Sequence, residues 1–270
     1  MTPKPNPKIV FFDIDETLYM NHSKHGDRGG VPESTKTALR LLKQKGIITA
    51  IATGRTIAVL PDAILSVVDE CGIDLIVSVN GQYVEYQGKP LASFPFAQQE
   101  IEQLSNTLQQ HQISHALVAR SGLFTVLDNQ HSQAALASLG LPFTYDPLAY
   151  QKYEIHQILG FYSADQDALV QSIIPNNIKI IRWHESGTDW LDKAGSKARG
   201  IQAALDHFGL TMHDAMAFGD AHNDVEMLQA VGFGVVMGNA EPEIKALAQY
   251  VCPRIEEDGI YRGLQELGVI

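Results

Sequence analysis

Two aspartates one residue apart, Asp13 and Asp15, follow the short apolar run Ile9-Val10-Phe11-Phe12 and precede Thr17. Carboxylates are disfavoured in a packed interior unless they are paired or bound to metal. An apolar strand that stops at such a pair presents it at the edge of a sheet. Two more apolar runs end the same way: Ile47 to Ala52 at Thr53-Gly54-Arg55, and Ala215 to Phe218 at Gly219-Asp220, with Asn223 and Asp224 just beyond. In one parallel sheet these clusters share one edge, outside the carboxyl ends of the strands, where open α/β folds bind ligands. Lys197 adds a cation at the start of a helix whose N-cap is Ser196, where backbone N–H groups and the helix dipole favour an anion. Several carboxylates in a small volume call for a cation, and all-oxygen donors select a hard one, Mg²⁺. Carboxylates, Mg²⁺, a lysine, the Thr53 hydroxyl and a helix N-terminus together describe phosphoryl transfer. The chain has no Gly-x-x-x-x-Gly-Lys-Ser/Thr sequence, so a P-loop enzyme is not indicated. With no water-activating His or Cys motif in view, the available nucleophile is a carboxylate, giving an aspartyl-phosphate.

The elements that must position these groups read as β-α-β-α-β from the first strand to a third, Leu75 to Val79, stopped by Asn80-Gly81. That alternation predicts a doubly wound parallel sheet with right-handed crossovers. The texture changes from Tyr83 to Gly187. There a Gln87-Gly88 turn, a helix over Ala97 to His111, a hairpin about Ser121-Gly122 and strands at Gln157 to Ser163 and Ile178 to Trp183 predict an inserted α+β module. The α/β pattern resumes at Ser196. The expected division is therefore a core of residues 1–82 and 188–270 with residues 83–187 inserted.

Composition sets the outer bounds. With 270 residues, 45% hydrophobic and 19% charged, the chain is ordinary for a globular protein with ample core. A formal charge of −11 argues against nucleic acid or an anionic membrane as partner. A small anionic substrate remains compatible, since a bound cation and a few bases reverse the sign within one pocket. Cys71 and Cys252 read as buried free thiols in a reducing compartment. Met1 to Lys8 lacks the apolar region of a signal peptide, and no run is long enough to span a bilayer, so a cytoplasmic location is expected.

Taken together, Asp13-Ile14-Asp15-Glu16-Thr17-Leu18, Ala52-Thr53-Gly54-Arg55, Lys197 and Gly219-Asp220-Ala221-His222-Asn223-Asp224 resemble the four motifs of the haloacid dehalogenase-like (HAD) hydrolases, in the family's order. The inserted module resembles the cap of the Cof-type branch, class IIB, as does Val236-Met237-Gly238-Asn239-Ala240. The resemblance implies a Rossmann-like core, a mobile cap that closes over substrate, and a phosphatase acting on small phosphorylated metabolites. Sugar phosphates come first among these, ahead of pyridoxal phosphate and flavin mononucleotide. It implies that Asp13 is the nucleophile and that Asp15 is the acid and then the base. Thr53, Gly54, Lys197 and Asn223 would hold phosphate, with Asn223 alternatively orienting Lys197. Mg²⁺ would sit on the Asp13 carboxylate, the Asp15 carbonyl and Asp220, with Asp224 contributing through water. A phosphomannomutase-like transferase and a non-catalytic phosphate sensor are the alternatives on the same fold.

Simpler readings stand beside these. Thr17 reads as bonding its turn, Asp224 equally as a helix cap, and Arg55 equally as an ion-pair residue. Lys193 rivals Lys197. His22, His25, His184 and His222 show no zinc-ligand spacing, and the first two read as solvated loop. Arg120, Arg182, Trp183 and His184 read as surface or hairpin residues, and Tyr83, Tyr86, Phe94 and Phe96 as strand core. Glu16 departs from the resemblance, because that branch carries glycine at a tight turn there.

Overall fold

The computed structural model describes residues 5–270. Five strands precede the insertion: β1 (Ile9–Phe12), β2 (Ile48–Ala52), β3 (Leu75–Ser78), β4 (Tyr83–Tyr86) and β5 (Lys89–Ser93). Six lie within it: β6 (Ser114–Ala119), β7 (Gly122–Leu127), β8 (Thr144–Tyr145), β9 (Gln157–Phe161), β10 (Ile178–His184) and β11 (Gly187–Asp192). Three follow: β12 (Ala215–Gly219), β13 (Phe233–Val236) and β14 (Tyr250–Val251).

The first sheet runs β14-β13-β12-β1-β2-β3-β4-β5. Its strands are parallel from β14 to β3, and the β4–β5 hairpin adds an antiparallel edge. From β1 the chain proceeds outward through β2 and β3, and after the insertion it proceeds the other way from β12 to β14. The direction of winding therefore reverses between β1 and β12, and a doubly wound sheet opens its ligand crevice at such a point. All four β1 residues are buried, as a strand covered on both faces requires. Ile9 and Phe11 pack with Ile201, Leu205, Met227 and Leu228. Alternation sends Val10 and Phe12 to the opposite face, where the Phe12 ring stacks on Phe218 at 5.2 Å.

Two compact units result. One comprises the chain up to Gly54, Leu60–Ser93 and Ser196–Ile270; the other comprises Arg55–Val59 and Phe94–Gly195. The second unit has its own sheet, β10-β11-β9-β6-β7-β8, and its own core around Leu104, Leu117, Ile158, Tyr162 and Trp190. Its bounds differ from those expected at Tyr83 and Gly187. The β4–β5 hairpin has the antiparallel texture of the insert, yet β4 pairs with β3 from Leu75↔Tyr86 to Ser78↔Tyr83 and so completes the core sheet. At the far end β11 pairs with both β10 and β9, which carries the insert on to Gly195. Between β2 and β3, Pro61 separates a short 3₁₀ turn, Ile57–Val59, from the helix Asp62–Cys71. Among the described residues no helix is long and apolar enough to cross a membrane.

Candidate active site

Asp13 is the first residue after β1, and its backbone N–H donates to the Phe218 carbonyl at 3.0 Å. The same crevice receives Asp220 from the end of β12. The helix Lys197–Phe208 enters from the return of the chain, with the Ser196 hydroxyl accepting from Arg199 N at 3.2 Å and Gly209 closing it in a left-handed conformation. Its first residue, Lys197, is fully buried. The ammonium lies 2.5 Å from Asp13 Oδ1 and 2.6 Å from Asp224 Oδ1. Lys193, the rival lysine, is exposed and lies in the other unit.

Asp224 is also fully buried, and both its oxygens are engaged. Oδ1 takes Lys197, and Oδ2 accepts from the N–H groups of Asp220 and Ala221 at 3.0 and 3.1 Å. Asp224 thus fixes the loop that carries Asp220 and orients the lysine. Gly219 permits this approach, since a Cβ there would lie 2.6 Å from the Asp224 carboxyl carbon. Thr17 donates to Asp220 Oδ1 at 3.3 Å, which ties the first motif to the last.

Oxygen atoms of Asp13, Asp220 and Asp224 all fall within 4.8 Å of one another. Burial and the neighbouring carboxylates, Asp224 foremost, push the Asp13 carboxyl well above the usual range despite Lys197. The same causes raise Asp220 to about 7. Burial pulls Lys197 down, but Asp13 and Asp224 outweigh it and the ammonium is held charged. One buried cation among three carboxylates leaves an excess of negative charge. The all-oxygen donor set that carries it fits a hard divalent ion.

Thr53 follows β2 and is buried; its N–H donates to Val77 O at 2.8 Å and its carbonyl accepts from Asn80 N at 3.0 Å. Asn223 Nδ2 donates to Asn80 Oδ1 at 3.0 Å. A Cβ on Gly54 would meet that pair at 3.2–3.4 Å, so Gly54 borders both. In the sequence, Asn80 marks only the stop of β3. It sits at φ 51° beside Val79 at φ 48°, a left-handed stretch unusual for a β-branched residue. Only the Asn-Gly dipeptide signalled it. Arg55 falls in the other unit, where Nη1 donates to Val59 O at 3.3 Å.

Glu16 adopts φ 60°, so the tight turn persists without glycine. Its side chain is not solvated: Oε1 accepts from Asn21 N at 3.1 Å, and Oε2 lies 2.9 Å from His25 Nε2. His25 is accordingly only 14% exposed, in contrast to its reading as solvated loop. His222 sits 2.7 Å from Glu243 on the exposed surface, outside the buried cluster.

The profile of the haloacid dehalogenase-like hydrolases matches residues 10–264. The chain is 34% identical over 265 residues to YkrA of Bacillus subtilis (strain 168), a protein carrying a provisional phosphatase name, and the match covers 97% of this chain and 98% of that one. A hypothetical protein of Geobacillus kaustophilus HTA426 superposes with a TM-score of 0.85 at 36% identity, covering 98% of this chain and all of that one (100%). The subclass IIB sugar phosphatase BT4131 superposes at 0.82 with 28% identity, covering 97% of this chain and 99% of that one. With its parallel-sheet core, its inserted unit and a family match running almost end to end, the chain belongs to the haloacid dehalogenase-like hydrolases.

Proposed function

We propose that this hydrolase is a Mg²⁺-dependent phosphomonoesterase of small phosphorylated metabolites, sugar phosphates foremost, working through a phosphoryl group carried on Asp13. The observation that carries the reading is the buried Lys197 ammonium held between Asp13 and Asp224, 2.5 and 2.6 Å away, beside Asp220. A fully buried cation is costly unless an anion meets it. Here it stands where a phosphoryl oxygen would add to its partners. Similarity to the sugar phosphatase BT4131 supports the substrate class.

In the first half-reaction an Asp13 oxygen attacks phosphorus as the bond from phosphorus to the ester oxygen breaks. The electron pair of that bond goes to the leaving oxygen, and the Asp15 carboxyl supplies its proton. In the second, Asp15 takes a proton from water as the water oxygen attacks phosphorus. The bond from phosphorus to Asp13 breaks, and the carboxylate and inorganic phosphate are released. Lys197, with Thr53 and Asn223, holds the phosphoryl oxygens and balances the charge that spreads over them. Asp224 keeps Lys197 in place and shapes the loop of Asp220. Asp13 and Asp220, with the Asp15 carbonyl, would hold Mg²⁺; when bound it supplies charge neutralisation at the phosphoryl oxygens.

Phosphate release from a panel of phosphomonoesters, with Mg²⁺ and with chelator, tests the reading. Wild type turns over only with the ion, and Asp13→Asn is inactive on every substrate. Release unaffected by Asp13→Asn overturns the nucleophile, and release equal in chelator overturns the ion. Phosphate passed quantitatively to a second sugar in place of water favours the transferase.

A further inference from the structure

Glu16 combines a left-handed backbone with a long charged side chain that is only 9% exposed. A buried carboxylate needs partners, and here they come from one short segment. Oε1 accepts from both the backbone N and the side-chain Nδ2 of Asn21, at 3.1 and 3.2 Å. Oε2 meets His25 at 2.9 Å, and Lys24 Nζ lies 4.0 Å from Oε1. The Glu16 carbonyl accepts from Asn239 Nδ2 at 2.9 Å, so the residue is held on its backbone side as well.

The Asn21 amide carries this arrangement to the chemistry. Its nitrogen has two protons. One goes to Glu16 and the other to Asp15 Oδ1 at 3.1 Å. Turned over, the amide would set its oxygen against two carboxylates, so its orientation is fixed by charge. Its plane is fixed because both protons are used. The chain enters and leaves the segment through a reciprocal backbone pair, Met20 N to Gly30 O at 2.9 Å and Gly30 N to Met20 O at 2.8 Å, which closes the loop at its base.

We propose that Glu16 and Asn21 are positioning residues that aim the Asp15 carboxyl at the leaving-group oxygen of the substrate. The N–H on Oδ1 ties one oxygen of the Asp15 carboxyl to the Glu16–Asn21 pair and so restrains the direction in which that carboxyl faces. The proposal rests on the reading of Asp15 as the acid. It adds the Glu16–Asn21 pair as the device that orients it, and it gives Glu16 a function in the first motif.

The test is leaving-group dependence, which a general loss of structure does not alter. kcat/KM is measured for p-nitrophenyl phosphate, whose leaving group departs without help, for phenyl phosphate and for an alkyl phosphate, whose leaving group needs the proton. The variants are Glu16→Gly, Asn21→Ala, Glu16→Gln and Asp15→Asn. Glycine suits φ 60°, so Glu16→Gly keeps the turn. General acids contribute on the order of 10²–10⁴-fold. A misaimed acid then costs about tenfold or more on the alkyl ester and under about threefold on p-nitrophenyl phosphate, for both Glu16→Gly and Asn21→Ala. Glu16→Gln, which keeps an acceptor for Asn21, restores the wild-type pattern. Equal losses on all three esters, or none, overturn the proposal while a selective loss in Asp15→Asn leaves the acid role standing. An Asp15→Asn pattern parallel to wild type removes the acid role itself, and the positioning role with it.

Discussion

Lys197 is fully buried, so the stability of the site depends on its two carboxylate partners. Breaking a buried ion pair from one side costs about 3–5 kcal/mol, because the remaining charges stay uncompensated. Lys197→Met is therefore expected to lower the unfolding free energy by about that amount in urea titrations under chelator, and to abolish turnover. The opposite change, added positive charge, should stabilise. Mg²⁺ at about 100 times its Kd adds about 2.7 kcal/mol to the unfolding free energy by mass action. Asp220→Asn is expected to remove most of that increment; an undiminished increment would place the ion elsewhere. At this scale the sequence is informative wherever a charged or hydroxyl residue ends an apolar run, as Asp13, Thr53 and Asp220 do. It is silent on Asn21, and it marks Asn80 only as the stop of β3 and Asn239 only within the loop Val236 to Ala240, without their partners. Their type is common in loops, and their partners are set by how separate loops meet rather than by any spacing along the chain.

The helix Lys197–Phe208 is placed by its contact with the loop after β3. Gly81 at φ 82° leaves no room there: a Cβ would come within 1.9 Å of Ser196 O. Gly200 faces it, with a Cβ position 2.7 Å from Gly81 Cα. Gly81→Ala is expected to cost about 2–4 kcal/mol through backbone strain and displacement of the helix start, and to lower kcat/KM by moving Lys197. A thermal melt within one degree of wild type would contradict this. In the inserted unit, His115 on β6 is buried and bonded to Ser105 Oγ at 2.8 Å. Burial depresses its pKa to about 4, although the Ile113 carbonyl opposes the shift. Between about 6.5 and 4 the unfolded chain takes up a proton that the native state refuses. The contribution is complete above about pH 6.5 and is lost as pH falls through that window, at about 1.4 kcal/mol per unit and about 3 kcal/mol in all. In urea titrations across it, the stability of wild type minus that of His115→Gln should show this slope; the opposite contributions of Asp13 and Asp220, whose carboxyls are raised, are common to both proteins and cancel. Element types are well marked by apolar runs and by Ser196 and Gly209. The allegiance of the β4–β5 hairpin is not, because pairing with β3 is a tertiary choice that an antiparallel texture does not reveal.

Over the whole molecule, one sheet brings residues from its two halves to a single crevice. β1, β2 and β3 supply the first half, and β12 with the preceding helix supplies the second after the insertion. The reversal of winding beside β1 explains why Asp13 meets Lys197, Asp224 and Asp220 in one place. A β-α-β alternation broken by a long stretch of different texture made this arrangement readable in outline. The residues at which the chain passes between units were not, since they follow from hydrogen bonding between strands far apart in sequence. The central claim, that phosphorus is carried on Asp13, can be tested on the intact chain. Asp15→Asn protein is mixed with p-nitrophenyl phosphate and Mg²⁺, quenched, reduced with borohydride and digested. Reduction of an aspartyl-phosphate gives homoserine, so the account predicts that mass change at residue 13 and nowhere else. A modified carboxylate at another position, or none under conditions where p-nitrophenol is released, would contradict it.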